Sequence, residues 1–444
     1  AGYTFDAGPS LFTLPELVDE LFLLAGKDPS EHFRYSRLET LCHYFFSDGI
    51  RLQASADPLK FAADAAAVTG VSQESIVAHL SRSRFAFDAT QGVFLQQSLH
   101  KAATYLRGST IWSFLKLPFL KVNQTMNEAN EAAFGNQKMV QLFNRFATYN
   151  GSDPYQAPGL LNLIPHLEHH LGAYFPEGGM HSITKSIYKL ACELGVRFIF
   201  GSKATRIHSD RNNRVTGVSC NGTEYQADLV VCNMDIVPAY KQLLPHLPLP
   251  KRIATQERSS SALVFYWGIG STFPELGLHN IFFSADYQRE FREIFKEHII
   301  PADPTIYVNI SSRMAPEHAP RGKENWFVMI NVPPAMGQDW EGMIARVRKV
   351  ILATLARQLG RDIESLIEAE DTLDPRSIES KTQSFRGSIY GTSSNGIMAA
   401  FFRHPNFSPR MKGLYFCGGS VHPGGGIPLA LYSAKIVDKL IPRR

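Results

Sequence analysis

Between residues 174 and 235 the apolar positions sort into short, differently spaced groups. Ile183, Ile187, Leu190, Ala191 and Leu194 follow the turn Phe175-Pro176-Glu177-Gly178-Gly179 at helical spacing, which predicts a helix. Gly195 stands where a helix-ending glycine belongs. Residues 196–200 predict a buried strand. Residues 204–208 and 214–220 predict two strands joined through Asp210-Arg211-Asn212-Asn213. Asn221-Gly222 is the dipeptide a tight hairpin prefers, because both residues tolerate positive φ. Residues 227–232 form a further apolar strand that ends at Asn233-Met234-Asp235.

Elsewhere the pattern changes. Residues 60–173 read as mostly helical, on the evidence of 62–67 and 139–146. Residues 246–384 read as mixed: 262–267, 305–310 and 326–331 predict strands, and Trp340–Leu359 predicts an amphipathic helix. Near the C-terminus, Gly413-Leu414-Tyr415-Phe416-Cys417-Gly418-Gly419 predicts a buried strand ending in glycines. His422-Pro423-Gly424-Gly425-Gly426 is a glycine-rich loop. Ile427–Leu440 then predicts a helix, with Pro428 in its first turn, where a missing N–H is harmless.

The chain has 444 residues, which is long enough for two or three structural regions. Apolar residues make up 44% and charged residues 19%, a globular balance. The net charge of +4 is far from that of a nucleic-acid binder but suits an anionic membrane surface. Five scattered cysteines contain no C-x-x-C pair, which argues against a disulfide framework or a zinc site. No apolar run reaches the ~18–20 residues of a spanning helix. No signal peptide is visible. The opening Ala1-Gly2-Tyr3-Thr4-Phe5-Asp6-Ala7-Gly8-Pro9 reads as the middle of a protein.

The strand–glycine loop–helix over 413–440 carries the strongest chemical signal. Glycines let a cofactor approach the backbone, and the helix N-terminus favours an anionic group. A reduced flavin, negative around N1 and the C2 carbonyl, would suit it; an ordinary tight βα turn is the plain alternative. His166, His169 and His170 share a helical face, where a polar surface or a substrate-entrance role is expected rather than a metal. The aromatic stretch 111–121 is too short to span a bilayer. Two readings stay open for it: a helix lying in a membrane surface with Lys116 and Lys121 snorkelling to phosphates, or a buried core helix.

Three blocks carry a resemblance. Gly2-Tyr3-Thr4-Phe5-Asp6-Ala7-Gly8-Pro9-Ser10 resembles the segment shortly after the dinucleotide fingerprint of bacterial-type phytoene desaturases. Phe175-Pro176-Glu177-Gly178-Gly179-Met180 resembles their flavin-side turn. The run from Gly413 to Pro428 resembles their C-terminal signature, and the stretch from Asn406 to Lys435 is most similar to the 1-hydroxycarotenoid 3,4-desaturase branch.

The resemblance implies an α/β amine-oxidase-like fold. It has a discontinuous FAD-binding Rossmann-like domain (1–12, 174–245 and 385–444) and a mixed α+β substrate domain (13–59 and 246–384). Residues 60–173 would form a helical, membrane-facing entrance region. It implies that Asp6, Gly8, Pro9, Gly178, Gly179, Gly418, Gly419, Gly424, Gly425, Gly426 and Ile427 line FAD, and that no metal is used. The stretch 141–155 would face the reacting polyene, with Arg145, Asn150 and Asp153 as its polar candidates. The family's first βαβ segment, with the loop that holds the pyrophosphate, would precede Ala1, so the chain as it stands is expected to bind FAD poorly.

The implied reaction is desaturation of a carotenoid, phytoene or a 1-hydroxycarotenoid, with FAD as hydride acceptor. A neighbouring proton would go to Arg145, Asp153 or water. Quinone or oxygen would reoxidise the flavin. The enzyme is expected in the cytoplasm, on the inner face of the cell membrane. A carotenoid isomerase or retinol-saturase-like enzyme, and a non-enzymatic prenyl-lipid carrier on the same fold, are the alternatives; an amine oxidase lacks the expected aromatic cage.

Overall fold

The computed structural model describes residues 2–116, 120–396, 399 and 401–442. Its largest element is a seven-stranded mixed sheet. Across it the strands run Ile367–Leu373, Ser261–Ile269, Glu324–Val332, Ile306–Asn309, His279–Phe282, Thr40–Phe45 and Arg51–Ser55. All neighbours are antiparallel except His279–Phe282 and Thr40–Phe45, which run parallel. Every residue of Ser261–Ile269 is buried, because both faces of that strand are covered. Alternate side chains point to opposite faces. Leu263, Phe265, Trp267 and Ile269 therefore meet one core, and Ala262, Val264 and Tyr266 another. The helix Trp340–Leu359 closes the first core with Trp340, Val347, Ile351 and Leu355. It starts on an Asp339 cap to the Gly342 N–H and stops at the left-handed Gly360.

Residues 60–173 are mostly helical where described, as expected, with non-helical connections such as 151–158. Each main helix has a side-chain cap: Asp57 for Pro58–Thr69, Ser72 for Gln73–Thr90, and Asn136 for Gln137–Asn144. Thr125 and Glu128 form a reciprocal capping box for Met126–Phe134. Gln137–Asn144 tightens into a 3-10 turn over Arg145–Asn150. These helices share an apolar core with the edge of the large sheet through Phe61, Phe143, Phe146, Leu52 and Tyr44.

The remaining sheets are small. Ala204–Ser209, Val215–Cys220 and Thr223–Gln226 form an antiparallel meander, turning at Asn221 and Gly222 with φ +48° and +81°. Val230–Cys232 runs parallel to Leu414–Phe416. Tyr174–Pro176 pairs with Tyr35–Arg37. The helix His181–Glu193 forms where the apolar spacing placed it.

One expectation fails. Residues 196–200 form no strand, and Val196, Phe198, Ile199 and Phe200 are exposed. A strand needs a neighbour to satisfy its N–H and C=O groups, and none of the described strands flanks this segment.

Candidate functional site

The glycine loop is built on the buried strand Leu414–Phe416. Asn406 holds it from behind: its Nδ2 donates to the His422 carbonyl (2.7 Å), the Ser433 hydroxyl (3.0 Å) and the Phe416 carbonyl (3.3 Å). Ser433 in turn accepts from the Gly418 N–H (3.1 Å). His422 pins the loop to the Gln97 carbonyl through Nε2 (2.8 Å). Gly419 lies against Gly425, where an added Cβ would come within 3.2 Å of the Gly425 Cα. Gly426 (φ +105°) is exposed, with open space where a Cβ would be. The helix Ile427–Leu440 then starts with no side-chain cap. Its first N–H groups are thus left for an anionic ligand, as the sequence suggested.

The other expected cofactor residues divide. Gly8 and Gly178 are exposed and face open space, and Pro9 is exposed. Asp6 does something different. Its carboxylate accepts from the Met180 N–H (2.9 Å) and the His181 N–H (3.1 Å), holding the start of His181–Glu193. Gly179 is closed in, since a Cβ there would meet His318 at 2.6 Å and Asp6 at 2.8 Å. The first and central glycine segments are therefore locked to each other through Asp6.

Arg145 is buried in a polar knot. It donates to the Tyr44 hydroxyl (2.7 Å), the Tyr149 hydroxyl (3.0 Å) and Glu168 (3.3 Å), and Tyr149 also donates to Glu168. Burial alone would lower the Arg145 pKa, but Tyr149, Tyr44 and Glu168 outweigh it and hold it well above the usual value. Asp153 lies in a different cluster. It accepts from the Tyr155 N–H (2.8 Å) and Gln156 Nε2 (2.6 Å), and its own N–H donates to Asn395 (2.8 Å). Burial pushes its carboxyl up, against those hydrogen bonds. Asn150, partly buried, ends the same turn, and its carbonyl accepts from the Ser152 hydroxyl (3.2 Å). A cleft of about 730 Å³ opens beside Asp153, lined among others by Gln124, Gln156, Arg252, Gln256 and Asn395.

The histidines are not on a polar surface. His166 and His169 are buried, and the helix is a π-turn over Leu167–Leu171. His166 lies tilted against His170, while His169 packs on Phe61. Their burial follows from the apolar helices around them. Burial pushes His169 to about 3 and His166 to about 4, so both rings are neutral near pH 7. Among the described residues no three His, Cys, Asp or Glu side chains are arranged to hold a metal. In the aromatic stretch, the helix Gly108–Lys116 exposes Ile111, Trp112 and Leu115, so these three are not core residues. Residues 117–119 lie outside the described residues.

Sequence reasoning missed two residues between the loop and the Asp153 turn. The Tyr390 ring is wedged between Gly425 and Gly151: a Cβ on either would lie 2.8 Å from a ring carbon. Arg403, buried, donates to the carbonyls of Tyr390 (2.7 Å) and Gly419 (3.3 Å). Neither stands in a spacing motif. Only the glycines they lie against, Gly151 and Gly425 for Tyr390 and Gly424 for Arg403, could have hinted at them.

A glycine loop running into an uncapped helix, beside a parallel strand pair, an antiparallel meander and a large mixed sheet, is an arrangement this chain shares with solved oxidases. Putrescine oxidase bound to putrescine has this fold, with a TM-score of 0.58 at 13% identity, over 98% of this chain and 87% of that one. So does cyclohexylamine oxidase from Brevibacterium oxydans IH-35A, with a TM-score of 0.55 at 12% identity over 97% and 87%. The chain belongs to the flavin containing amine oxidoreductase family, whose profile matches residues 1–437. Its cofactor is FAD, and the open glycines and uncapped helix fit an anionic ligand of that kind.

Within the family, this chain is 49% identical over 441 residues to the 1-hydroxycarotenoid 3,4-desaturase of Flavobacterium sp. (strain P99-3), covering 99% of this chain and 90% of that protein. It is 30% identical over 456 residues to the phytoene desaturase of Phycomyces blakesleeanus, covering 98% and 77%. It is equally similar, 30% over 456 residues, to the 4,4'-diapolycopene oxygenase of Methylomonas sp, covering 99% and 89%.

Proposed function

We propose that this protein is an FAD-dependent carotenoid desaturase acting on a 1-hydroxycarotenoid. The observation that carries the reading is the 49% identity, over 99% of the chain, to an enzyme of that activity. Bound FAD supplies the acceptor for a hydride from the saturated carbon of the polyene. Gly418, Gly419, Gly424, Gly425, Gly426 and the start of Ile427–Leu440 hold it, with Gly8, Pro9 and Gly178 as further walls. Asp6 and Gly179 act by fixing the loops.

The rest of the reaction belongs to the cleft beside Gln156. Asp153 is the residue suited to take the neighbouring proton. It is buried, burial raises its carboxyl above the ordinary carboxylate value and so makes it a stronger base, and Gln156 joins it to the cleft wall. Arg145 stays protonated and cannot serve as a base; its part is to orient Tyr149 and Tyr44. Asn150 shapes the turn that carries Asp153. The apolar core around Phe143 and Phe146 keeps water from the reacting chain.

The domain division proposed is 1–12, 174–245 and 385–444 for FAD, 13–59 and 246–384 for substrate, and 60–173 for entrance and membrane. A preceding strand–loop–helix segment completing the FAD half is supported by two features. Among the described residues Val230–Cys232 is paired along one edge only, and Leu229, Val231, Phe198 and Phe200 lie exposed. Such a segment would pair with that edge and give 196–200 a neighbour. No described helix is long and apolar enough to cross a membrane. The exposed Ile111, Trp112 and Leu115 support docking on the inner face of the cell membrane. Quinone or oxygen would reoxidise the cofactor.

The test is the spectrum and mass of pigment extracted after incubation with FAD in liposomes carrying a 1-hydroxycarotenoid. Desaturation shifts absorption to the red and removes two mass units per new double bond. An unchanged mass points to isomerisation, an added oxygen to an oxygenase, and a blue shift to saturation; each would overturn the proposal.

A further inference from the structure

Arg403 is only 3% exposed, yet it makes no ion pair among the described residues. Its hydrogen bonds go to two peptide carbonyls, Tyr390 and Gly419. The carboxylate whose field reaches it, Asp235, is already paired with Arg258 and also accepts from the Val237 and Phe385 N–H groups. The adjacent His404 and the loop's His422 carry no charge near neutral pH, since burial pushes both to about 4. Arg403 itself, pushed down to about 10 by burial, keeps its proton there. A buried cation with only neutral partners is costly unless an anion joins it.

The place for that anion is set by the loop. A Cβ on Gly424 would lie 3.2 Å from Arg403 Nε and 3.4 Å from its Cζ, so the guanidinium lies directly against the backbone of the glycine loop. The carbonyl that Arg403 holds belongs to Tyr390, whose ring bridges Gly425 and the Gly151 turn next to Asp153. Arg403 therefore stands at the substrate-facing end of the loop. The reacting ring system of FAD, rather than its diphosphate, must lie at that end to meet a substrate.

We propose that Arg403 is the fixed counter-charge for the FAD ring system in its reduced, anionic form, so that the protein binds reduced FAD more tightly than oxidised FAD. A fixed charge in a dry site acts strongly because little solvent screens it. Stronger binding of the reduced form raises the midpoint potential. The inference rests on FAD binding and not on which substrate is used, and its test contains no carotenoid.

The experiment is a dye-coupled reductive titration of the FAD-loaded protein carrying the preceding strand–loop–helix segment, as wild type, Arg403→Gln and Arg403→Lys. Bound FAD in the wild type should sit at a higher potential than free FAD. Arg403→Gln, which can still donate to the carbonyls, should lower the potential by ~30 mV or more, roughly a tenfold loss in relative affinity for reduced FAD in a two-electron couple. Arg403→Lys should stay near the wild type. A wild-type potential at or below that of free FAD overturns the proposal even if neither variant folds. So does a folded Arg403→Gln protein with unchanged potential, or equal shifts in the Gln and Lys variants. A loss of FAD affinity that is the same in both redox states would assign Arg403 to the diphosphate and overturn it too.

Discussion

Single side chains in this protein act mainly by where they are buried. Glu290 is 1% exposed and accepts from the Ser284 and Thr305 hydroxyls, both 2.7 Å, and the Thr305 N–H, 3.1 Å. Burial nevertheless wins and pushes its carboxyl up to about 7. The folded state then holds a proton that the unfolded chain releases near its ordinary carboxylate pKa. The stabilisation is complete below that lower value and is lost as pH rises towards 7, by up to about 3 kcal/mol. Melting curves should show wild type losing stability between pH 5 and 7.5 relative to Glu290→Gln; parallel curves would contradict this. At the cofactor loop the limit is space. A Cβ on Gly425 would sit 2.8 Å from the Tyr390 ring and 2.9 Å from its Cα, so Gly425→Ala must displace either Tyr390 or the loop. FAD retention measured by flavin fluorescence should fall at least ~10-fold. Gly108→Ala, with nothing within 4 Å, should leave it unchanged.

At the scale of elements, the helix Gly108–Lys116 carries its apolar side chains outward. Ile111, Trp112 and Leu115 are 53%, 68% and 60% exposed. Burying such side chains gains ~1.5–3 kcal/mol each. Replacing all three by Gln should cut binding to anionic liposomes by more than ~100-fold in a sedimentation assay, with little change in melting temperature. Equal sedimentation of both proteins would remove this helix from membrane docking. Regular elements were legible because their patterns are local. Trp340–Leu359 and Ile427–Leu440 formed over the expected residues, and Asn221-Gly222 turned as its chemistry dictates. Residues 196–200 were not legible, because a strand depends on a neighbour that local pattern cannot supply. The glycine loop was readable from spacing and resemblance. Tyr390 and Arg403 were not, since each gains its meaning from contacts across long sequence separations, such as Tyr390 with Gly151. The histidines misled for the same reason: helical spacing put three on one face, and tertiary packing buried His166 and His169 instead.

Across the whole molecule, a cofactor loop near the C-terminal end of the chain meets the segment after Arg145–Asn150, which carries a buried carboxylate and lies far earlier in the sequence, with Tyr390 between them. That arrangement calls for Asp153 to affect the chemical step and not cofactor binding. Asp153→Asn should retain FAD and lower kcat by ~100-fold or more, with KM little changed. An unaltered kcat in a variant that holds FAD would exclude Asp153 as the proton acceptor. Desaturation by bound FAD is tested most directly by an anaerobic single turnover, with FAD-loaded protein mixed with a 1-hydroxycarotenoid in liposomes and the spectrum followed. The oxidised flavin bands should bleach while the pigment shifts to the red, one equivalent of flavin for each double bond gained. A pigment that stays unchanged beside fully retained, oxidised FAD, or a red shift without flavin bleaching, would contradict a flavin-dependent desaturase.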